Sequence, residues 1–215
     1  MQIIDGRKIR DNILENIKKE VELLSFVPVF CDVLVGEDKV SEQYVRMKDK
    51  TATSVGIKFH NAHFPATITT EELIEEIKVL NKIPNMCGLI VQLPLPENID
   101  TKKVLDAIDP DLDVDCLGFL ASEKFYQNIS HLAPPTANAC FYILKSLNIS
   151  LEDKKIVVLG NGELVGRPVS ALLKSLGFEV NTITRNTENK EIILKNADIV
   201  ISGMGNGKYV NSEMI

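Results

Sequence analysis

Between Pro28 and Val91 three short apolar runs alternate with two stretches of helical period, and this alternation constrains the fold more than any other feature. Val29 to Val35 reads as a strand buried on both faces, the pattern of a parallel sheet, and it stops at Gly36. After a charged turn, Glu37-Asp38-Lys39, Ser41 is placed as the N-cap of a helix reaching about Val55, with Gly56 as its terminator. Ile57 to Phe64 is the second strand, closed by Pro65. Thr69 and Glu72 form a capping box for an amphipathic helix through Leu80, and Gly88 to Val91 is the third strand. The order β-α-β-α-β predicts a parallel sheet with right-handed crossovers. Ahead of it, Ile9, Ile13, Ile17, Val21 and Leu24 make a helical stripe that Pro28 ends.

Tyr44 and Lys48 are four apart on the first crossover helix, so they share a face about one turn from a strand end. A lysine there can work as an acid or base, and a tyrosine can orient a substrate. Taken alone, the pair equally fits a solvated lysine beside a half-buried tyrosine. Gln92 follows the third strand and sits at the carboxyl edge of the sheet, where open α/β sheets place ligands. Its exit, Leu93-Pro94-Leu95-Pro96, is rigid and extended. A short helix, about Thr101 to Ile108, leads to Asp109-Pro110-Asp111-Leu112-Asp113-Val114-Asp115. The acids alternate with Leu112 and Val114, so one side should be anchored and the other should present aspartates.

Ser122 to His131 is polar and reads as a loop at a domain boundary. A helix over Ala137 to Leu147 then opens a second α/β pattern. Lys155 to Leu159 is a buried strand running into Gly160-Asn161-Gly162-Glu163-Leu164-Val165-Gly166, and a helix follows to about Leu176. This G-x-G-x-x-x-G turn is one residue longer than the usual dinucleotide fingerprint, in the right strand-to-helix context. A tight turn without a ligand has the same pattern. Glu179 to Ile183 is the next strand. Arg185 stands where an acid would hold the ribose of NAD, which favours the 2′-phosphate of NADP; a surface arginine is the plain alternative. A short helix, Asn189 to Asn196, and a strand, Asp198 to Ser202, complete the pattern.

With 24 basic and 30 acidic residues the formal charge is −6, which argues against a nucleic-acid surface. No apolar run is long enough to span a membrane and no signal peptide opens the chain. Cys31, Cys87, Cys116 and Cys140 are scattered and read as reduced core residues of a cytoplasmic protein. His60, His63 and His131 have no metal-like spacing, so no metal is expected.

The stretches VGEDKVSEQYVRMK, GLIVQLPLP, DVD followed by GF, VVLGNGELVGRP and ADIVISGMG occur in an order that resembles the bifunctional methylenetetrahydrofolate dehydrogenase/methenyltetrahydrofolate cyclohydrolase family, nearly end to end. The resemblance implies an α/β protein. Residues 1–121 would be a three-layer αβα folate domain, and residues 122–215 a Rossmann-type NADP domain, incomplete at its C-terminus. The active site would lie in the cleft between. It implies oxidation of 5,10-methylenetetrahydrofolate with NADP, then hydrolysis to 10-formyltetrahydrofolate, in a cytoplasmic homodimer that binds tetrahydrofolate derivatives. By position Lys48 resembles the catalytic lysine, Tyr44 the tyrosine that packs on the folate, Gln92 the glutamine supporting the lysine and Asp115 the aspartate holding the pterin. Gly160, Asn161, Gly162, Val165 and Gly166 resemble the cofactor loop, and Arg185 a 2′-phosphate ligand.

The chain departs from the family pattern at Cys116, where glycine is usual, at Pro135 and Ala137, and at Gly162, where serine is usual. Family members also continue with a further strand, a Pro-Gly-rich loop and a terminal helix. The chain is therefore expected to be a shortened member with an uncovered sheet edge. The alternative to an active enzyme is a non-catalytic folate- or nucleotide-binding remnant.

Overall fold

A computed structural model describes residues 3–207, 209–211 and 214. The chain divides into two compact units, Met1–Leu132 and Ala133–Ile215.

The first unit runs α1 (Gly6–Glu22), β1 (Val29–Val35), α2 (Lys39–Ser54), β2 (Lys58–Phe64), α3 (Thr70–Leu80), β3 (Met86–Val91), α4 (Thr101–Leu105) and α5 (Phe119–Tyr126). Its sheet has the order β2-β1-β3, and both pairings are parallel. Crossover helices cover a parallel sheet on both faces, so central β1 is buried on both, and its two faces have different neighbours. Cys31, Val33 and Val35 join Leu89 and Val91 of β3 and Leu73, Ile77 and Leu80 of α3 in one core. The alternate positions, Asp32 and Leu34, point to the opposite face because side chains alternate along a strand. The capping box is present: Thr69 accepts from the amide of Glu72, and Glu72 accepts from that of Thr69.

Four local expectations need correction. Helix α2 begins two residues earlier than Ser41, because Asp38 takes the cap and accepts the Ser41 amide at 2.7 Å. Leu24 lies beyond the end of α1, and none of that helix's described residues is fully buried. Half of the expected boundary loop is α5, held by Ala121 and Phe125, which are four apart and both buried. Asp113 is 1% exposed rather than presented to solvent, because its segment runs beside β3, where Leu112 accepts the Leu89 amide at 2.8 Å.

The second unit runs α6 (Pro135–Ser146), β4 (Ile156–Leu159), α7 (Gly166–Ser175), β5 (Val180–Ile183), α8 (Lys190–Lys195) and β6 (Ile199–Ser202), with parallel sheet order β5-β4-β6. The central strand serves two cores by the same alternation. Ile156 and Val158 pack with Ala137, Leu144, Val169 and Leu173, whereas Val157 and Leu159 pack with Ile183 and Leu194.

Candidate functional site

Period-two geometry assembles the first site. Val91 faces the α3 core, so Gln92, one residue on, faces the α2 side together with Asp32. Its own amide is fixed by the carbonyl of Val33 at 2.9 Å. Helix α2 crosses that face and brings Lys48 down onto both. The Lys48 Nζ donates to Asp32 Oδ2 at 2.9 Å and to Gln92 Oε1 at 2.8 Å. Gln92 Nε2 in turn donates to the Leu93 carbonyl, which fixes which amide atom faces the lysine. Tyr44 lies one turn along α2 and is exposed.

The site is acidic around one amine. Asp32 is fully buried, and burial pushes its carboxyl up, opposed by the bond and the charge of Lys48. Its Oδ1 has no hydrogen-bond partner among the described residues. Burial also raises Asp115; Lys48 pulls it back, while Asp113 and Asp32 push it further up. Asp113 is raised by burial against the amide of Gly118, which donates to its Oδ2 at 2.7 Å. Lys48, Gln92 and Asp115 are thus brought into one electrostatic neighbourhood.

Asp32 is the site residue that the pattern of apolar runs passes over. An acid in the middle of a strand buried on both faces needs a partner, and Lys48 supplies it.

Cys116 sits at φ 55°, a left-handed conformation that costs an L-residue with a Cβ about 1–2 kcal/mol. Among the described residues the other non-glycine positions in that region, Asn85, Asn128, Asn148, Asp153 and Asn189, are all asparagine or aspartate. The turn after Asp115 therefore keeps a glycine-type backbone while carrying a thiol. That thiol is buried, and its pKa is pushed up to about 12 by burial and by Asp113 and Asp115. Cys31 is likewise pushed up to about 12, whereas Cys87 is exposed, not in the core.

In the second unit the turn after β4 requires glycine twice. Gly160 has φ 92°, and a Cβ on Gly166 would collide with the carbonyl oxygen of Gly160. A Cβ on Gly162 would meet nothing within 4 Å, so this glycine leaves open space rather than filling a contact. Helix α7 starts directly at Gly166, and its N-cap, Val165, offers no side-chain hydrogen bond to the first-turn amides. The Arg167 amide is instead taken by the Gly162 carbonyl at 3.0 Å, and Pro168 has no N–H to offer. Asn161 lies in the same turn. Arg185 is exposed just past β5, in a turn tied by Thr184 and Thr187, and its guanidinium forms no ion pair among the described residues.

These features define a class: a two-unit α/β protein with a half-buried amine and amide gathered on a buried carboxylate in one unit and a glycine turn opening a helix in the other. Residues 4–115 match the family model for the catalytic domain of tetrahydrofolate dehydrogenase/cyclohydrolase, and residues 134–215 match its NAD(P)-binding domain. The chain is 37% identical to the bifunctional protein FolD of Clostridium beijerinckii, over 100% of this chain and 77% of that one. The crystal structure of the bifunctional FolD methylenetetrahydrofolate dehydrogenase/cyclohydrolase from Campylobacter jejuni matches with TM-score 0.91 at 29% identity, covering 98% of this chain and 76% of that one. A FolD from Trypanosoma brucei, solved with NADP cofactor and inhibitor, matches with TM-score 0.88 at 31% identity, covering 100% and 75%. The chain belongs to the tetrahydrofolate dehydrogenase/cyclohydrolase family.

Proposed function

We propose that this chain oxidises 5,10-methylenetetrahydrofolate to the methenyl form with NADP, and then hydrolyses that product to 10-formyltetrahydrofolate. The observation that carries this reading is Lys48, held at the carboxyl end of a parallel sheet by Asp32 and Gln92. Hydrolysis of the methenyl cation needs a proton taken from the attacking water, and Lys48 is the amine placed to take it. Gln92 orients that amine. Tyr44 would pack on the folate and Asp115 would hold the pterin.

The second unit fits NADP. The steric demand at Gly166, the open space at Gly162 and Arg185 together provide a close backbone approach for a pyrophosphate and a cation for a 2′-phosphate. Gly160, Asn161, Gly162, Val165 and Gly166 would line that approach. When bound, NADP supplies the hydride acceptor. The chain's own contribution to the oxidation is then positioning of the folate.

We assign it to the cytoplasm as a homodimer. Four free cysteines fit a reducing compartment, and β5 pairs on one side only among the described residues, leaving an edge that a second copy can cover. Sedimentation across a concentration series checks the dimer. The decisive test of function is the absorbance of NADPH on mixing chain, NADP and methylenetetrahydrofolate, followed by loss of the methenyl absorbance. Binding of folate without either signal would overturn the reading in favour of a non-catalytic binding protein.

A further inference from the structure

Lys48 donates to two acceptors, and only one of them can accept a proton outright. Gln92 Oε1 is an amide oxygen, which stays unprotonated near neutrality. Asp32 Oδ2 is a carboxylate oxygen 2.9 Å from the amine. Asp32 is 0% exposed, while the Lys48 side chain is 27% exposed. Oδ1 of Asp32 has no hydrogen-bond partner among the described residues. The Asp32 carboxyl group therefore communicates with solvent by way of Lys48.

We propose that Asp32 is the proton store of Lys48: a positioning residue that takes the ammonium proton, so that Lys48 meets its water as a neutral amine. This rests on the hydrolytic reading above. In the first step an N–H bond of the ammonium breaks and an O–H bond forms on Asp32 Oδ2. The pair passes from ammonium–carboxylate to amine–carboxylic acid with no change in proton count or net charge. The amine lone pair then takes a proton from the water as its oxygen adds to the methenyl carbon. The π electrons of the amidinium move onto nitrogen. The one proton that hydrolysis of the cation releases leaves through Lys48.

Burial favours this exchange, because a desolvated site stabilises the uncharged pair relative to the charged one. The remaining groups around the pair are few. Asp115 feels both Lys48 and Asp32, with Asp113 beside it. The thiols of Cys31 and Cys116 are both pushed up to about 12. Tyr44 lies on α2, and the residues in register with Asp32 on β2 and β3 are Asn61 and Ile90, which do not titrate.

A proton store behaves differently from a pin. Exchange inside the pair is pH-independent, so the amine fraction stays level between the pair's two titrations. A lysine beside a group that cannot take its proton yields amine in proportion to hydroxide, about tenfold per pH unit below its pKa. The test is trace acetylation of Lys48 by acetic anhydride, read by peptide mass spectrometry against an exposed lysine, between about pH 6.5 and 9, above ordinary carboxylates and below ordinary lysines. The parent is expected to acetylate at a level rate across the window. Asp32→Asn keeps an acceptor for the amine but no proton site, and its rate is expected to climb about tenfold per unit. Methenyl hydrolysis should show the same contrast in kcat. A parent rate that itself climbs tenfold per unit overturns the proposal, and needs no variant to fold. A level acetylation profile without methenyl hydrolysis would support the store and count against the function instead.

Discussion

Replacing Lys48 by methionine tests the buried pair through stability rather than turnover. The substitution is close in length and leaves the helix former in place, but strips Asp32 Oδ2 of its partner while Oδ1 already has none. Removing one member of a buried pair typically costs about 3–5 kcal/mol. The fold has an escape, which is to protonate Asp32, and the cost of that escape is a ceiling. From an unfolded aspartate pKa of about 3.9, it is about 1.36 × (7 − 3.9), or about 4 kcal/mol, at pH 7, and about 1.5 kcal/mol at pH 5. The sign follows from linkage. In the variant the folded pKa lies above the unfolded one, so stability is full below the unfolded value and is lost as pH rises towards the folded value. Urea unfolding of parent and Lys48→Met, followed by circular dichroism at pH 7 and pH 5, should give a penalty larger at pH 7 by up to about 2.7 kcal/mol. An equal penalty at both pH values would show that Asp32 is not left as a buried charge, and the assignment of the pair would fall.

Arg185→Ala should erase most of a preference for NADP over NAD, since a hydrogen bond to a charged group contributes about 1.5–3 kcal/mol, or about tenfold to a hundredfold in affinity; calorimetric titration with both cofactors measures it. Gly166→Ala should weaken NADP binding by more than that without touching methenyl hydrolysis, because its Cβ forces the Gly160 carbonyl to move. A maleimide should modify Cys87 well before Cys31 and Cys116, whose buried thiols are pushed up to about 12 and stay protonated, and peptide mapping after timed quenching gives the order.

The alternation of apolar runs made the two parallel sheets legible, because a strand flanked on both sides has little choice but to be apolar. The same pattern explains what it concealed. A run such as Val29 to Val35 reads as buried on both faces whether or not one position carries an acid, and Asp32 becomes informative only once α2 is known to lay Lys48 across it. Helix α5 was hidden because its burial rests on two residues, Ala121 and Phe125, in an otherwise polar stretch. The alternating acids near Asp113 misled because their segment runs beside β3, a neighbour that local spacing does not announce. Spacing placed Lys48 and Gln92 at a sheet edge separately; their bond, 44 residues apart, is a tertiary fact.

The central position of β1 has a consequence for synthesis. Both of its partners, β2 and β3, lie later in the chain, and the sheet cannot close until Val91 has been made. At ordinary elongation rates the 56 residues from Val35 to Val91 take roughly three to eleven seconds. For that interval a seven-residue β-prone segment waits with at least one edge unpaired, first without either neighbour and after Phe64 still without β3, the kind of window in which nascent chains adhere to one another. A single carboxylate at its midpoint, still hydrated and ionised on the ribosome, opposes such adhesion in the way gatekeeper charges do. The buried acid of the folded protein is in this sense also a guard for the strand before the fold exists.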